Sequence, residues 1–288
     1  MEVKFSNPMR LPLPFRAGDK VIYSAEYESP SLGAIADTQK NASKSLYRAV
    51  KTWIDGGVTA YIDDQGARVD DPAEIKRVGF DMSIQSAETL AMAIALEYNE
   101  DDKVEGIYTC PLCGTELVAE YTPDQDTRDS ISDLTINCAD EPEDTVIITL
   151  DKPIKIGGKS RVTDEMVGIE IQKIELRHPT IRDGINGQGK YGASDETRQQ
   201  FAYYIEALVS LNDEPVSSKD RNEFGMKVFE NMRGKSDIKK LGEMISRYGV
   251  VNTIEKTCPK CLKRWKETIN TSSFFASALQ SGSTTGRA

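Results

Sequence analysis

The 288-residue sequence predicts an α+β chain of two tandem related units, each a β-hairpin followed by helices and closed by a cysteine knuckle. Three observations lead there. Two Cys-Pro-x-Cys pairs, Cys110-Pro111-Leu112-Cys113 and Cys258-Pro259-Lys260-Cys261, are offset by 148 residues. Upstream of each, Ser29-Pro30-Ser31 and His178-Pro179-Thr180 place their prolines 149 residues apart. Between proline and cysteines, the same order of strand-like and helix-like patterns runs twice.

In the first copy Val21, Tyr23, Ala25 and Tyr27 alternate as a strand does. After Pro30, Leu46, Val50, Trp53 and Ile54 recur at helical spacing, and a second helix follows with Ile84, Ala87, Leu90, Ala91 and Ile94. In the second copy Ile169 and Ile171, then Ile174 and Leu176, make the strand; the phase break at Gln172-Lys173 predicts a bulge. Phe201, Tyr204, Ile205, Leu208 and Leu211 form the next helical face. Phe224, Val228 and Phe229 then precede Ile238, Leu241 and Ile245, with Gly249 as a stop. These patterns set the expected boundaries: 1–123 for the first unit, 124–144 for an acidic connector, 145–279 for the second unit, and 280–288 for a disordered Ser/Thr/Gly-rich tail.

Charge narrows the function. The chain carries 36 Lys and Arg against 46 Asp and Glu, a net of −10. Phosphate contacts need clustered cations, so no nucleic-acid partner is expected. The excess is uneven: residues 1–144 hold 28 acidic and 13 basic side chains, residues 145–288 hold 18 and 23. Such asymmetry suits either two mutually attracting units or one acidic surface segment. The longest apolar run, Leu90 to Leu96, is too short to cross a bilayer, so no membrane partner is expected. The opening Met1-Glu2-Val3-Lys4-Phe5 has no apolar core of a signal, which makes the cytoplasm the expected address.

His178 is the single histidine, which rules out two-histidine metal sites and HExxH hydrolases within one chain. In a reducing cytosol the paired cysteines read first as metal ligands, with dithiol redox chemistry the competitor. No thioredoxin-like context surrounds either pair. A Cys-x-x-Cys turn aims two thiolates at one tetrahedral cation, and the proline presets the turn. The knuckles are zinc-ribbon-like, yet each supplies two ligands and a four-cysteine site needs both. Closing a loop about ten times longer than in a compact ribbon costs about 2 kcal/mol more, against on the order of 10 kcal/mol from structural zinc. The expected site is one structural Zn²⁺ on Cys110, Cys113, Cys258 and Cys261, joining the two halves as a pseudo-dimer. Cys138, at the edge of the connector, is expected as a free thiol rather than a fifth ligand.

Gly184-Ile185-Asn186-Gly187-Gln188-Gly189-Lys190-Tyr191 nearly matches a phosphate-binding loop, but Tyr191 cannot supply the Ser/Thr oxygen that Mg²⁺ needs. The expectation is a Gly-rich loop; a nucleotide-using enzyme centred there is the alternative. No catalytic constellation emerges, so no catalytic residue is assigned and no enzymatic activity is expected. Phe274-Phe275 suits a core strand or a partner-docking plug.

The second copy resembles small assembly proteins of bacteriophage tails. Val146 to Ile154, Gly157-Gly158 and Ile174 to Asp183 are similar to the opening of tail assembly chaperones of contractile-tailed phages. Tyr248-Gly249-Val250, Cys258-Pro259-Lys260-Cys261 and Phe274-Phe275 resemble the T4-type baseplate hub and hub-assembly family. The likeness covers about 130 residues, with short motifs. Leu262 departs from the glycine that such knuckles often carry and that Gly114 keeps in the first copy. The resemblance implies a non-catalytic component of a phage tail or baseplate, partnered by other tail or baseplate proteins and located in the virion after assembly in the host cytoplasm. An assembly chaperone that leaves before maturation is the alternative, and a zinc-ribbon nucleic-acid-binding protein is the rival from another class.

Overall fold

The computed structural model describes residues 2–4, 6–98, 104–121, 135–159, 166–191, 196–232, 234–250 and 253–268. The chain runs β1 (Glu2–Lys4), β2 (Met9–Ala17), β3 (Lys20–Tyr27), α1 (Leu32–Ala42), α2 (Leu46–Gly57), β4 (Val58–Asp63), β5 (Arg68–Val69), α3 (Pro72–Val78) and α4 (Ile84–Tyr98). There follow β6 (Val104–Thr109), β7 (Glu116–Tyr121), β8 (Thr135–Asn137), β9 (Val146–Lys159), β10 (Met166–Leu176), α5 (Ile181–Tyr191) and α6 (Glu196–Ala207). The remainder is β11 (Leu208–Leu211), β12 (Glu214–Pro215), α7 (Ser218–Asp220), a π-helical turn at Arg221–Gly225, α8 (Met226–Glu230), α9 (Lys235–Ser246), β13 (Gly249–Val250), β14 (Thr253–Thr257) and β15 (Arg264–Thr268). It is a mixed helix and strand chain, and every strand pairing among the described residues is antiparallel.

Two compact units result, and their boundaries differ from the expected ones. The first takes residues 1–142 together with 248–288; the second is residues 143–247. The C-terminal knuckle therefore belongs with the first unit. The connector is corrected as well: β8 pairs with both β1 and β13, Ile136 and Cys138 are buried, and the Ala139 N–H donates to the Pro12 carbonyl at 2.8 Å. Alternating Ile136 and Cys138 outweigh the local acidity, because a buried strand gains more from apolar side chains than the flanking charges lose to water. Residues 122–134, Phe274-Phe275 and 280–288 lie outside the described residues.

In the first unit a four-stranded sheet, ordered β2-β3-β4-β5, has α4 against β2 and α3 against β4, and α2 packs on α4. Trp53, Tyr61, Met9, Leu11, Ile22, Ile54, Leu90 and Ile94 are fully buried there, and Trp53 Nε1 donates to the Ala91 carbonyl at 3.1 Å. Nearly every residue of α4 from Ile84 to Ala95 is buried, including the polar Gln85, Ser86 and Thr89, and Thr89 Oγ1 donates to the Gln85 carbonyl at 2.8 Å.

In the second unit the order is β12-β11-β10-β9, with α6, α8 and α9 completing the core around Ile171, Ile174, Leu176, Ile205, Val228, Phe229 and Leu241. Leu208 and Leu211, expected on a helix, lie in β11. The helix ends at Ala207, and the β-branched Val209 next to Leu208 suits the strand.

Both sheets share two irregularities, and the β3–β4 pair adds a third register shift, between Ile22 and Ser24. Arg10 pairs with Ser24 and Phe15 with Ile22, so residues 11–14 stand opposite Tyr23 alone. Thr149 pairs with Lys173 and Ile154 with Ile171, so residues 150–153 stand opposite Gln172 alone. The bulge expected at Gln172-Lys173 is present. Each wide bulge exposes backbone groups that the last helix of the same unit satisfies. Ser86 of α4 bonds both the N–H and the carbonyl of Leu13, at 3.0 and 3.1 Å. Asp237 of α9 accepts from Asp151 N–H at 3.0 Å, and Lys240 donates to the Thr149 carbonyl at 2.8 Å. A second register shift falls between Glu26 and Tyr27 and again between Glu175 and Leu176. The bulge also explains why Ile22, not Val21 or Tyr23, is buried: it reverses the strand's phase.

The Gly-rich stretch 184–191 is not a loop but the body of α5. Gly187 serves packing, since a Cβ there would lie 2.8 Å from the Ala202 backbone on α6, whereas Gly189 faces open space. A Cβ on Gly56 of α2 would lie closer still, 2.4 Å from Cβ of Ala34 on α1. Lys190, the residue a phosphate loop would need, pairs at 2.8 Å with the buried carboxylate of Glu206.

Candidate metal centre

Each knuckle is a hairpin with a six-residue loop. In the first, Thr109 pairs with Glu116 across residues 110–115; in the second, Thr257 pairs with Arg264 across residues 258–263. The loops fold by the same bonds. Cys110 N–H donates to the Thr115 carbonyl and Gly114 N–H to the Cys110 carbonyl, both at 2.9 Å. Cys258 N–H donates to the Lys263 carbonyl at 2.9 Å and Leu262 N–H to the Cys258 carbonyl at 2.8 Å. These bonds wrap the backbone around each first cysteine and require the residue after the second cysteine to be left-handed. Gly114 has φ +68°, and Leu262 is forced to +57°. The doubt that Leu262 cast on the second turn is answered: it adopts the glycine geometry.

All four expected ligands come together. Their sulfurs lie within 4.8 Å of one another, all inside the first unit. Cys110 faces Cys261 at 3.6 Å, and Cys113 faces Cys258 at 3.6 Å. Exchanging the two knuckles exchanges these two contacts, so the cluster obeys a local two-fold rule. No disulfide is present: the spacing far exceeds the roughly 2.05 Å of a bonded pair. Four sulfurs held at about 2.3 Å around a tetrahedral cation would stand about 3.8 Å apart, close to the observed contacts. Cys138 lies elsewhere, buried beside the Arg10 and Ile136 carbonyls and in no disulfide.

The thiols differ in acidity. Hydrogen bonds from the Thr115 hydroxyl, at 3.1 Å, and the Thr115 backbone draw the Cys113 thiol down to about 6. At Cys261 a Lys263 backbone hydrogen bond lowers the value, but burial and the neighbouring sulfurs outweigh it and push the thiol up to about 12. Four thiolates this close cannot all form without a cation among them. The arrangement can therefore hold a metal ion.

Beyond the cluster, His178 Nε2 lies 2.8 Å from Glu143, which also accepts from Arg247 at 3.0 Å. Burial lowers the His178 pKa, and the Glu143 contact only partly offsets it. These partners tie β10 to both ends of the second unit. Sequence reading missed this clasp, since 35 residues separate Glu143 from His178 and Glu143 looked like one more connector charge.

In comparisons with protein families, curated proteins and solved structures, the chain matches none.

Proposed function

We propose that this chain is a structural or assembly component of a bacteriophage tail, most closely associated with the baseplate hub, which acts by binding other tail proteins and is held together by one structural Zn²⁺. The four-sulfur cluster carries the reading. Two hairpins 148 residues apart in sequence contribute two ligands each to one site, an arrangement that fixes geometry and leaves no coordination position for water or substrate. The soft all-thiolate donor set favours zinc over the hard cations that take oxygen ligands. Cys110, Cys113, Cys258 and Cys261 would hold the ion, each as its thiolate, and the ion would supply charge neutralisation and a crosslink.

The paired topology supports a duplicated origin. Equal sheet order, the same four-against-one bulge, a shared further register shift and the same six-residue knuckle loops recur; the offset is 139 residues for the bulged strand, 149 for Tyr23 and Gln172 opposite the bulge, and 148 for the knuckle loops. We read the two tandem α+β segments as copies of one ancestral unit, each with its zinc-ribbon-like knuckle, the second knuckle having stayed with the first copy's core. The resemblance of the Val146–Asp183 stretch and of the second knuckle to tail assembly proteins supplies the phage assignment.

Mass spectrometry of purified virions tests it. Peptides of this chain at fixed stoichiometry with tail proteins support a resident component. Their absence, with the chain bound to tail intermediates in infected cells, supports the chaperone form. Absence from both overturns the reading.

A further inference from the structure

We propose that the second knuckle, through Leu262 with Lys260, Lys263, Arg264 and Lys266, is a docking surface for an acidic protein segment that carries an apolar side chain. The first observation is Leu262 itself. It sits at φ +57°, a left-handed conformation that a branched side chain adopts against its steric preference. The twin position is Gly114, which meets the same turn without that strain. The Leu262 side chain recovers nothing by burial, being 75% exposed. A residue that strains its backbone and offers apolar surface to water is placed there for a contact outside the fold.

The second observation is the charge around it. Lys260, Lys263, Arg264 and Lys266 are all exposed within seven residues; no Asp or Glu occurs from Lys256 to Lys266, the nearest being Glu255, opposite Lys266 in the β14–β15 pair, and Glu267 beside it. Strand alternation sets Arg264 and Lys266 on one face of β15 and half-buried Trp265 on the other. The first knuckle is the opposite: residues 104–121 contain Glu105, Glu116 and Glu120 and no Lys or Arg. The cations therefore mark one knuckle of an otherwise acidic chain, and complementarity assigns the partner negative charge.

An acidic polypeptide fits better than a nucleic acid. Single-stranded bases need exposed aromatic platforms, and the described part of this knuckle offers at its tip an aliphatic Leu262 instead. An exposed leucine with cations on either side of it in sequence matches an aliphatic side chain flanked by carboxylates. This deepens the reading of the chain as a protein-binding scaffold and rests on it.

The test uses the full-length, metal-loaded chain and fluorescence anisotropy of a labelled peptide of aspartates and glutamates around a central Leu-Leu pair. Saturable binding is expected, weakened by added salt, and weakened about tenfold by Leu262→Gly and by the double change Lys263→Glu with Arg264→Glu. Leu262→Gly suits the left-handed turn that Gly114 occupies in the first knuckle, so an undiminished Tm and an unaltered metal content are expected and distinguish lost binding from unfolding. No saturation by about 1 mM peptide overturns the proposal, as does equal binding by Leu262→Gly. Tighter binding of an oligothymidylate, lost in the same variants, replaces it with nucleic-acid docking. Variant effects on sedimentation but not on peptide binding replace it with self-association. Metal content measured on every sample separates failure of the zinc assignment from failure of docking, and virion composition tests the assembly reading independently.

Discussion

Cys113 and Cys258 hold their sulfurs 3.6 Å apart across 145 residues of chain, and Cys110 and Cys261 repeat the distance across 151. If all four ionise, a cation between the two hairpins is what offsets their repulsion. Elemental analysis of the purified chain is expected to give one zinc per chain. Cys110→Ser and Cys258→Ser should each abolish it and cost on the order of 5 kcal/mol or more, seen as a large fall in Tm that chelator reproduces in the parent. Cys138→Ser should leave the metal content unchanged. Two zinc ions per chain, or a Cys110→Ser chain with unaltered Tm, would sink the shared site.

The left-handed residue in each knuckle gives a reciprocal pair of substitutions. Leu262→Gly removes the strain of φ +57° but frees the unfolded chain, leaving a net gain of about 0.5–1 kcal/mol. Gly114→Leu imposes that strain while restricting the unfolded chain and should cost about 0.5–1 kcal/mol net. Denaturant midpoints measure both; the same sign for the two would contradict the matched turns.

Helix α5 separates packing from propensity. Gly187→Ala would normally favour a helix, but the new Cβ would lie 2.8 Å from the Ala202 backbone, so a loss of about 1–3 kcal/mol is expected. Gly189→Ala meets nothing within 4 Å and should gain about 0.5–1 kcal/mol. If ATP or GTP bound saturably, and Lys190→Ala abolished it, the packing account of these glycines would be wrong.

Glu88 introduces a pH dependence. Burial on α4 pushes its carboxyl up to about 7. Between about pH 4.5 and 7 the unfolded chain loses this proton while the folded chain keeps it, so stability falls as pH rises through that window. The full shift corresponds to about 3 kcal/mol, and because Glu88 is partly solvent-accessible about 2 kcal/mol is expected. Glu88→Gln should be more stable than the parent above pH 7 and equal to it near pH 4.5. Parallel Tm curves for the two chains would refute the assignment.

The cysteine set and the repeated order were legible because both depend on local chemistry: a Cys-Pro-x-Cys turn announces itself, and Pro30 and Pro179 mark equivalent chain breaks. What stayed hidden is decided at a distance. Nothing near Gly187 reveals that Ala202 lies against it, so its spacing read as a loop. Ile136 and Cys138 were masked by their acidic neighbours until β1 and β13 supplied the partners that bury them. The unit boundary was misread for a similar reason. Sequence order assigns the second knuckle to the nearer helices, whereas Gly249, at φ +113°, returns the chain to α4, with Thr89 and Gln85 beside it.

That return has a consequence for synthesis. The first unit is interrupted by 143–247, and its last two ligands follow the interruption. On a ribosome, the inserted segment is complete and free to fold before Cys258 and Cys261 emerge, because domains form in the order they are made. Capture of the proposed metal would then be the closing event of biogenesis. A nascent chain halted before Cys258 would hold two thiolates without their counterparts, so metal retention reports that translation has passed Cys261.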